Sequence, residues 1–237
     1  MKHLIASTKQ TQIPNDQILK DSSFRSFSIG LWLGFSVSCL IIQPLVLFFL
    51  RSGHSLQHII DQATDAWKRL LGKLVTVQAD YLLAQVAAGA QALQVFDSWA
   101  GRALGREDYL RYVAPHNRDL YAKVAAAGVP VINFSLGVSA YLPEAAGCGG
   151  DVVGLDWSLP LDEAWERVGF DRPVQGNLDP AALLAPWREL RFRIDDVLER
   201  AAGRPGHIFN VGHGLTPLTP VDNVRRLVEH VRKRTSA

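Results

Sequence analysis

The stretch PVQGNLDPAALLAPWRELRFRIDDVLERAAGRPGHIFNV, residues 173–211, contains one complete repeat of the fold. Pro173 to Asn177 reads as a short strand. Asp179 then stands as an N-cap, Pro180 follows in the first turn, and Gly203 falls just past the end of the helix between them. Leu183, Leu184, Trp187, Leu190, Ile194, Val197, Leu198 and Ala201 recur at helical spacing and form its apolar stripe. His207 to Val211 is again a strand. A helix crossing between two apolar strands joins them in parallel, because a tight hairpin would join them antiparallel.

The same unit repeats on the N-terminal side. Trp67, Leu70, Leu71, Leu74, Gln78, Tyr81, Leu82 and Val86 predict a helix that Gly89 ends, and Ala92 to Phe96 predicts a buried strand. A helix from Arg106 to Gly128 leads to strands at Val129–Phe134 and Asp151–Trp157. After residue 211, Thr219-Pro220 opens a last helix carrying Val224, Leu227, Val228 and Val231. The count is five strands, whereas a closed barrel of this type needs eight over about 250 residues. The pattern is that of an α/β protein with about five βα units. Composition alone does not decide between a partial TIM-type (β/α)8 barrel and a small open sheet.

The chain has three textures. Residues 1–25 are a polar leader with Lys2, Lys9, Asp16, Lys20, Asp21 and Arg25. Residues 26–51 are apolar, and Ser26 to Leu50 holds no Asp, Glu, Lys, Arg or His. That length suffices to cross a bilayer, which takes roughly 20 apolar residues. Three readings stand side by side: a membrane-spanning helix, a helical segment unrelated to the rest of the fold and brought in by a truncated or misjoined reading frame, and a buried core element. Residues 63–237 carry the Ala-, Leu-, Gly- and Arg-rich α/β part.

Over the whole chain, 48% hydrophobic and 20% charged residues with a net charge of +2 are ordinary for a globular protein. The basic residues are scattered rather than striped, so nucleic acid is not an expected partner. Cys39 and Cys148, the two cysteines, build neither a disulfide framework nor a zinc site, and no metal is expected.

Ligand sites of parallel sheets gather at the carboxyl ends of the strands. Polar residues recur there: Asp97-Ser98, Asn133 and Ser135, Asp156, Asn177 and Asp179, then Asn210 and His213. Ser98 lacks a neighbouring base in sequence, so it suits hydrogen bonding to an anionic ligand better than nucleophilic attack. His213 stands between Gly212 and Gly214, which suits ligand contact. Asp156 and Asn177 are candidate site-lining residues, with loop-orienting roles as the alternative. Asp179 suits a helix cap.

Four motifs occur in order: QVFDSWAG (94–101), GLDW (154–157), QGNLDP (175–180) and GHIFNVGHG (206–214), followed by TPVDNVRRLVEHV. Together they resemble the uroporphyrinogen decarboxylase family from about residue 63 to 235. The resemblance implies the C-terminal part of a TIM (β/α)8 barrel and a cytosolic, homodimeric carboxy-lyase that needs no cofactor. Such an enzyme converts uroporphyrinogen III to coproporphyrinogen III in haem biosynthesis, releasing four acetate carboxyls as carbon dioxide. It further implies that Ser98 and His213 contact the tetrapyrrole substrate, while no role transfers to Asp156 or Asn177. The family's RQAGRY-like, FSDI-like and GxPWT-like segments, with their carboxylate-binding Arg, pyrrole-binding Asp and substrate Tyr, have no counterpart in the 237 residues. A truncated or N-terminally replaced enzyme of impaired activity, with no catalytic residue assignable, is therefore expected. Two alternatives accompany it: a membrane-tethered module that binds porphyrinogen without turnover, and a corrinoid-type methyltransferase, whose metal-ligand pattern is missing.

Overall fold

The computed structural model describes residues 35–39 and 64–236. Six parallel strands form one sheet in sequential order: β1 Phe35–Cys39, β2 Ala92–Asp97, β3 Val131–Ser135, β4 Val152–Gly154, β5 Val174–Leu178 and β6 His207–Val211. Helices α1 Thr64–Ala87, α2 Ala100–Ala103, α3 Arg106–Tyr112, α4 Ala114–Ala125, α5 Leu142–Ala146, α6 Leu161–Val168, α7 Trp187–Ala201 and α8 Val221–Thr235 alternate with them. Each strand pairs with its sequence neighbour, as in a TIM-type barrel laid down one βα unit at a time.

All five expected strands are present, with no end shifted by more than three residues and His207–Val211 as expected. The sixth lies inside the apolar stretch, whose readings were a membrane-spanning helix, an unrelated helical segment and a buried core element. Phe-Ser-Val-Ser-Cys alternates apolar and polar residues, the period-2 pattern of a strand, which a hydropathy average over the longer stretch hides. Phe35–Cys39 runs parallel to β2, residue 35 opposite 92 and 39 opposite 96. The rest of residues 1–63, and with it the whole leader and most of the apolar segment, lies outside the described residues. Among the described residues no helix is long and apolar enough to cross a membrane.

The helix expected from Arg106 to Gly128 is two helices, broken at Val113 (φ −120°, ψ −49°). Pro115 causes the break, since it lacks an N–H and its ring crowds the carbonyl four residues back. The helix after β5 also starts later than expected. Asp179 accepts the Ala181 N–H at 2.8 Å and so caps a 3-10 turn, Pro180–Leu184, while α7 begins only after Pro186.

The two faces of the sheet differ. Leu93, Val95, Val131, Val153, Val174 and Phe209 belong to the core shared with Trp67, Leu71 and Val75 of α1, Leu120 and Val124 of α4, and Leu190 and Ile194 of α7. Trp67 donates its indole N–H to the Tyr112 carbonyl at 3.1 Å, fastening α1 to α3. Register places Gln94 and Phe96, Ile132 and Phe134, Val152 and Gly154, Gln175 and Asn177, and Ile208 and Asn210 on the opposite, inner face. The arrangement is a partial TIM-barrel-like α/β fold.

Candidate functional site

Successive loops at the carboxyl ends of β2 to β6 are locked to one another. Asp97 ends β2, and its Oδ1 accepts the N–H groups of Trp99 (3.3 Å) and Ala100 (2.8 Å), which bends the chain around Ser98. The Asp97 carbonyl accepts the Leu136 N–H at 2.8 Å, and the Leu136 carbonyl accepts the Gly101 N–H at 3.1 Å. Loops β2 and β3 thus clasp each other. Gly101 makes the clasp possible, for a Cβ there would lie 1.9 Å from the Gly137 oxygen.

From Gly137 the chain of contacts continues. Its N–H reaches Asp156 Oδ2 at 2.7 Å, and the other oxygen of that carboxylate accepts the Ser158 N–H at 2.8 Å. Buried Asn177 donates its amide to the carbonyls of Asp156 (3.0 Å) and Leu159 (2.8 Å). The Gly212 N–H then bonds the Leu178 carbonyl at 2.7 Å, fixing the approach to His213. Asp156 and Asn177 are therefore spent on loop backbone.

His213 sits above the sheet rather than at its own strand. Its ring centroid is 6.2 Å from Phe134 and 6.3 Å from Trp157. Strand β3 carries Phe134 and β6 leads to His213, three places away in the sheet. In a flat sheet that separation is about 14 Å. Curvature of the sheet and the reach of the β6 loop bring the rings together over the mouth. Phe134 in turn lies 5.4 Å from Phe96, two residues before Ser98. An aromatic row of Phe96, Phe134, His213 and Trp157 thus spans the opening between the serine and histidine loops. Ser98 and His213 are both half-buried, and neither side chain has a hydrogen-bond partner among the described residues.

Asp97 is the polar group whose setting sequence reasoning missed. It sits beside Ser98 but shares the strand parity of Leu93 and Val95, so its carboxyl points into the helix layer. Burial pushes its pKa up to about 6, partly offset by the N–H groups of Ala100 and Trp99 and by the Asn117 amide. Around it burial also raises the hydroxyls of Tyr109, Tyr121 and Tyr141 and the thiol of Cys148. Cys148 stays a thiol, 3.7 Å from the Tyr109 hydroxyl. Parity alone separates Asp97 from Ser98, and that signal was in the sequence.

Among the described residues no three His, Cys, Asp or Glu side chains cluster as metal ligands. The geometry offers a row of aromatic rings, two uncommitted polar side chains on the loops at its ends, and a rim of hydrogen-bonded backbone. That suits a flat or domed ring ligand bearing polar arms.

The class of protein is thus a parallel α/β fold of partial TIM-barrel type. A family model, uroporphyrinogen decarboxylase (URO-D), matches residues 51–234, and the chain belongs to that family. It is 52% identical over 167 residues to the uroporphyrinogen decarboxylase of Solibacter usitatus (strain Ellin6076), covering 70% of this chain and 48% of that protein. To the uroporphyrinogen decarboxylase of Carboxydothermus hydrogenoformans it is 51% identical over 175 residues, 74% of this chain and 50% of that protein. The chain spans about half the length of the curated relatives it matches. Among solved structures it is similar to a methyltransferase from Methanosarcina mazei, with a TM-score of 0.71 at 20% identity over 85% of this chain and 59% of that one. This last likeness is one of fold alone.

Proposed function

We propose that residues 63–237 form the C-terminal part of a uroporphyrinogen decarboxylase barrel and bind the tetrapyrrole uroporphyrinogen III at the mouth of the strands. The observation that carries this reading is the His213 ring leaning across to Phe134, 6.2 Å away, and so toward the loop of Ser98. Ser98 donates a hydrogen bond to one carboxylate arm of the ligand and His213 contacts another. Phe96, Phe134 and Trp157 supply the apolar surface on which pyrrole rings rest.

The reaction belonging to this site is loss of carbon dioxide from acetate arms. A pyrrole carbon takes a proton, the C–C bond to the carboxylate breaks with its electrons flowing into the ring, a second proton adds to the exocyclic carbon, and departure of the first from the ring carbon restores the aromatic pyrrole. The ring is the electron sink, so the protein's tasks are positioning and charge stabilisation. This chain brings the serine and histidine contacts without an RQAGRY-like or FSDI-like segment. Its own reading is therefore that of a binder with little or no turnover, cytosolic and dimeric like the family it resembles.

Titration with uroporphyrin III, followed by quenching of tryptophan fluorescence, tests the assignment. Saturable binding is expected, weakened by about tenfold in each of Ser98→Ala and His213→Ala, the loss typical of one hydrogen bond to a charged group. Binding that ignores both substitutions overturns it. Formation of coproporphyrinogen by the purified 237-residue chain overturns the absence of turnover.

A further inference from the structure

The ends of β3, β4, β5 and β6 meet at one residue, and it is neither of the two assigned to the ligand. Asp156 Oδ2 holds the Gly137 N–H at 2.7 Å, and Gly137 is back to back with Gly101 in the loop of Ser98. Asp156 Oδ1 holds the Ser158 N–H at 2.8 Å, shaping the turn that presents Trp157. The Asp156 carbonyl accepts the Asn177 amide at 3.0 Å. On the other side, a Cβ added to Gly212 would meet the Trp157 nitrogen at 2.8 Å and the Asp156 carbonyl carbon at 3.1 Å, so the histidine loop rests on the Asp156–Trp157 peptide.

We propose that Asp156 is a positioning residue that fixes the separation between the Ser98 loop and the His213 loop. It does so through Gly137 on one side and Gly212 on the other, and it need not touch the ligand. The inference rests on the assignment of Ser98 and His213 as ligand contacts. A carboxylate suits the task because it is acceptor-only and takes two N–H groups at once, Gly137 from the loop after β3 and Ser158 from its own turn. An amide in its place offers one acceptor oxygen and turns an NH2 toward the second N–H.

The test exploits a distinction between ligands. Uroporphyrin III carries acetate and propionate arms all round the ring and can bridge both loops. A monopyrrole with one acetate and one propionate arm reaches a single loop. If Asp156 sets the separation, Asp156→Asn lowers uroporphyrin III affinity by about tenfold or more and leaves monopyrrole affinity within about twofold, since only the bridging ligand depends on the spacing. Asp156→Glu keeps the charge and both acceptors but is one methylene longer, so it shows the same selective loss and remains readable should the amide variant fail to melt cooperatively. Equal losses for both ligands, no loss for either, or full recovery with Asp156→Glu overturns the proposal while leaving the ligand assignment intact. Failure of the unsubstituted chain to bind uroporphyrin III removes the ligand assignment itself, and this role with it.

Discussion

Gly101 and Gly137 face each other backbone to backbone, so closely that a Cβ on Gly101 would fall 1.9 Å from the Gly137 oxygen and 2.2 Å from its carbonyl carbon. No side-chain rotation relieves such a clash, since both partners are main chain.

Gly101→Ala is accordingly expected to lose at least about 2 kcal/mol of stability, as overpacking against rigid backbone does. Gly105→Ala is the control: nothing lies within 4 Å of its Cβ position, and the change should stay within about 0.5 kcal/mol. Urea denaturation of the two variants beside the parent chain decides the matter, and similar midpoints would show that the clasp yields.

Asp97 gives the pH prediction. Its folded pKa of about 6 stands above the ordinary 3.8. The protonated carboxyl is thus favoured by folding: its contribution is fully present below 3.8 and is lost as pH rises through 6. Asp97→Asn mimics the neutral form and still offers one oxygen to Trp99 and Ala100. The amide variant should match the parent below about pH 4 and exceed it by up to roughly 3 kcal/mol above pH 7. Thermal melts across that range measure the difference, and a constant offset between the two proteins would refute the shift.

Asn177→Ala would leave the carbonyls of Asp156 and Leu159 without their donor. A cost of about 2–3 kcal/mol follows for unpaired buried acceptors. Because those carbonyls flank Trp157, its fluorescence should shift to the red as the turn loosens. An unchanged spectrum would show that the turn holds itself.

Leu71 is fully buried between α1 and the sheet. Leu71→Ala should lower stability by about 2–5 kcal/mol, the cost of lost burial and a residual cavity. Calorimetry of the variant reads this directly, and a loss below about 1 kcal/mol would mean that α1 packs loosely.

Strands with period-free apolar runs, such as Val131–Ser135, and helices with a clear stripe, such as α7, were legible from local pattern. Their order is also their order in space, so topology followed from chain order. Three features were not legible locally. The strand Phe35–Cys39 alternates on a scale of two residues inside a stretch whose average reads as a span. The break at Val113 needed the weight of a single proline to be set against a continuous stripe. The site was legible as a set of strand-end residues and four motifs, but not as a network. Which of Ser98, Asp156, Asn177 and His213 keep their polar atoms free depends on loops meeting across the sheet. Spacing along the chain carries no record of that.

The placement of Phe35–Cys39 bears on how the two halves of the mouth behave. Because it pairs with β2 on the side away from β3, the strand leading into Ser98 is hydrogen-bonded along both flanks. The strand leading into His213 pairs with β5 alone among the described residues. Ser98 therefore follows a strand braced on two sides, as an inner strand of a parallel sheet is.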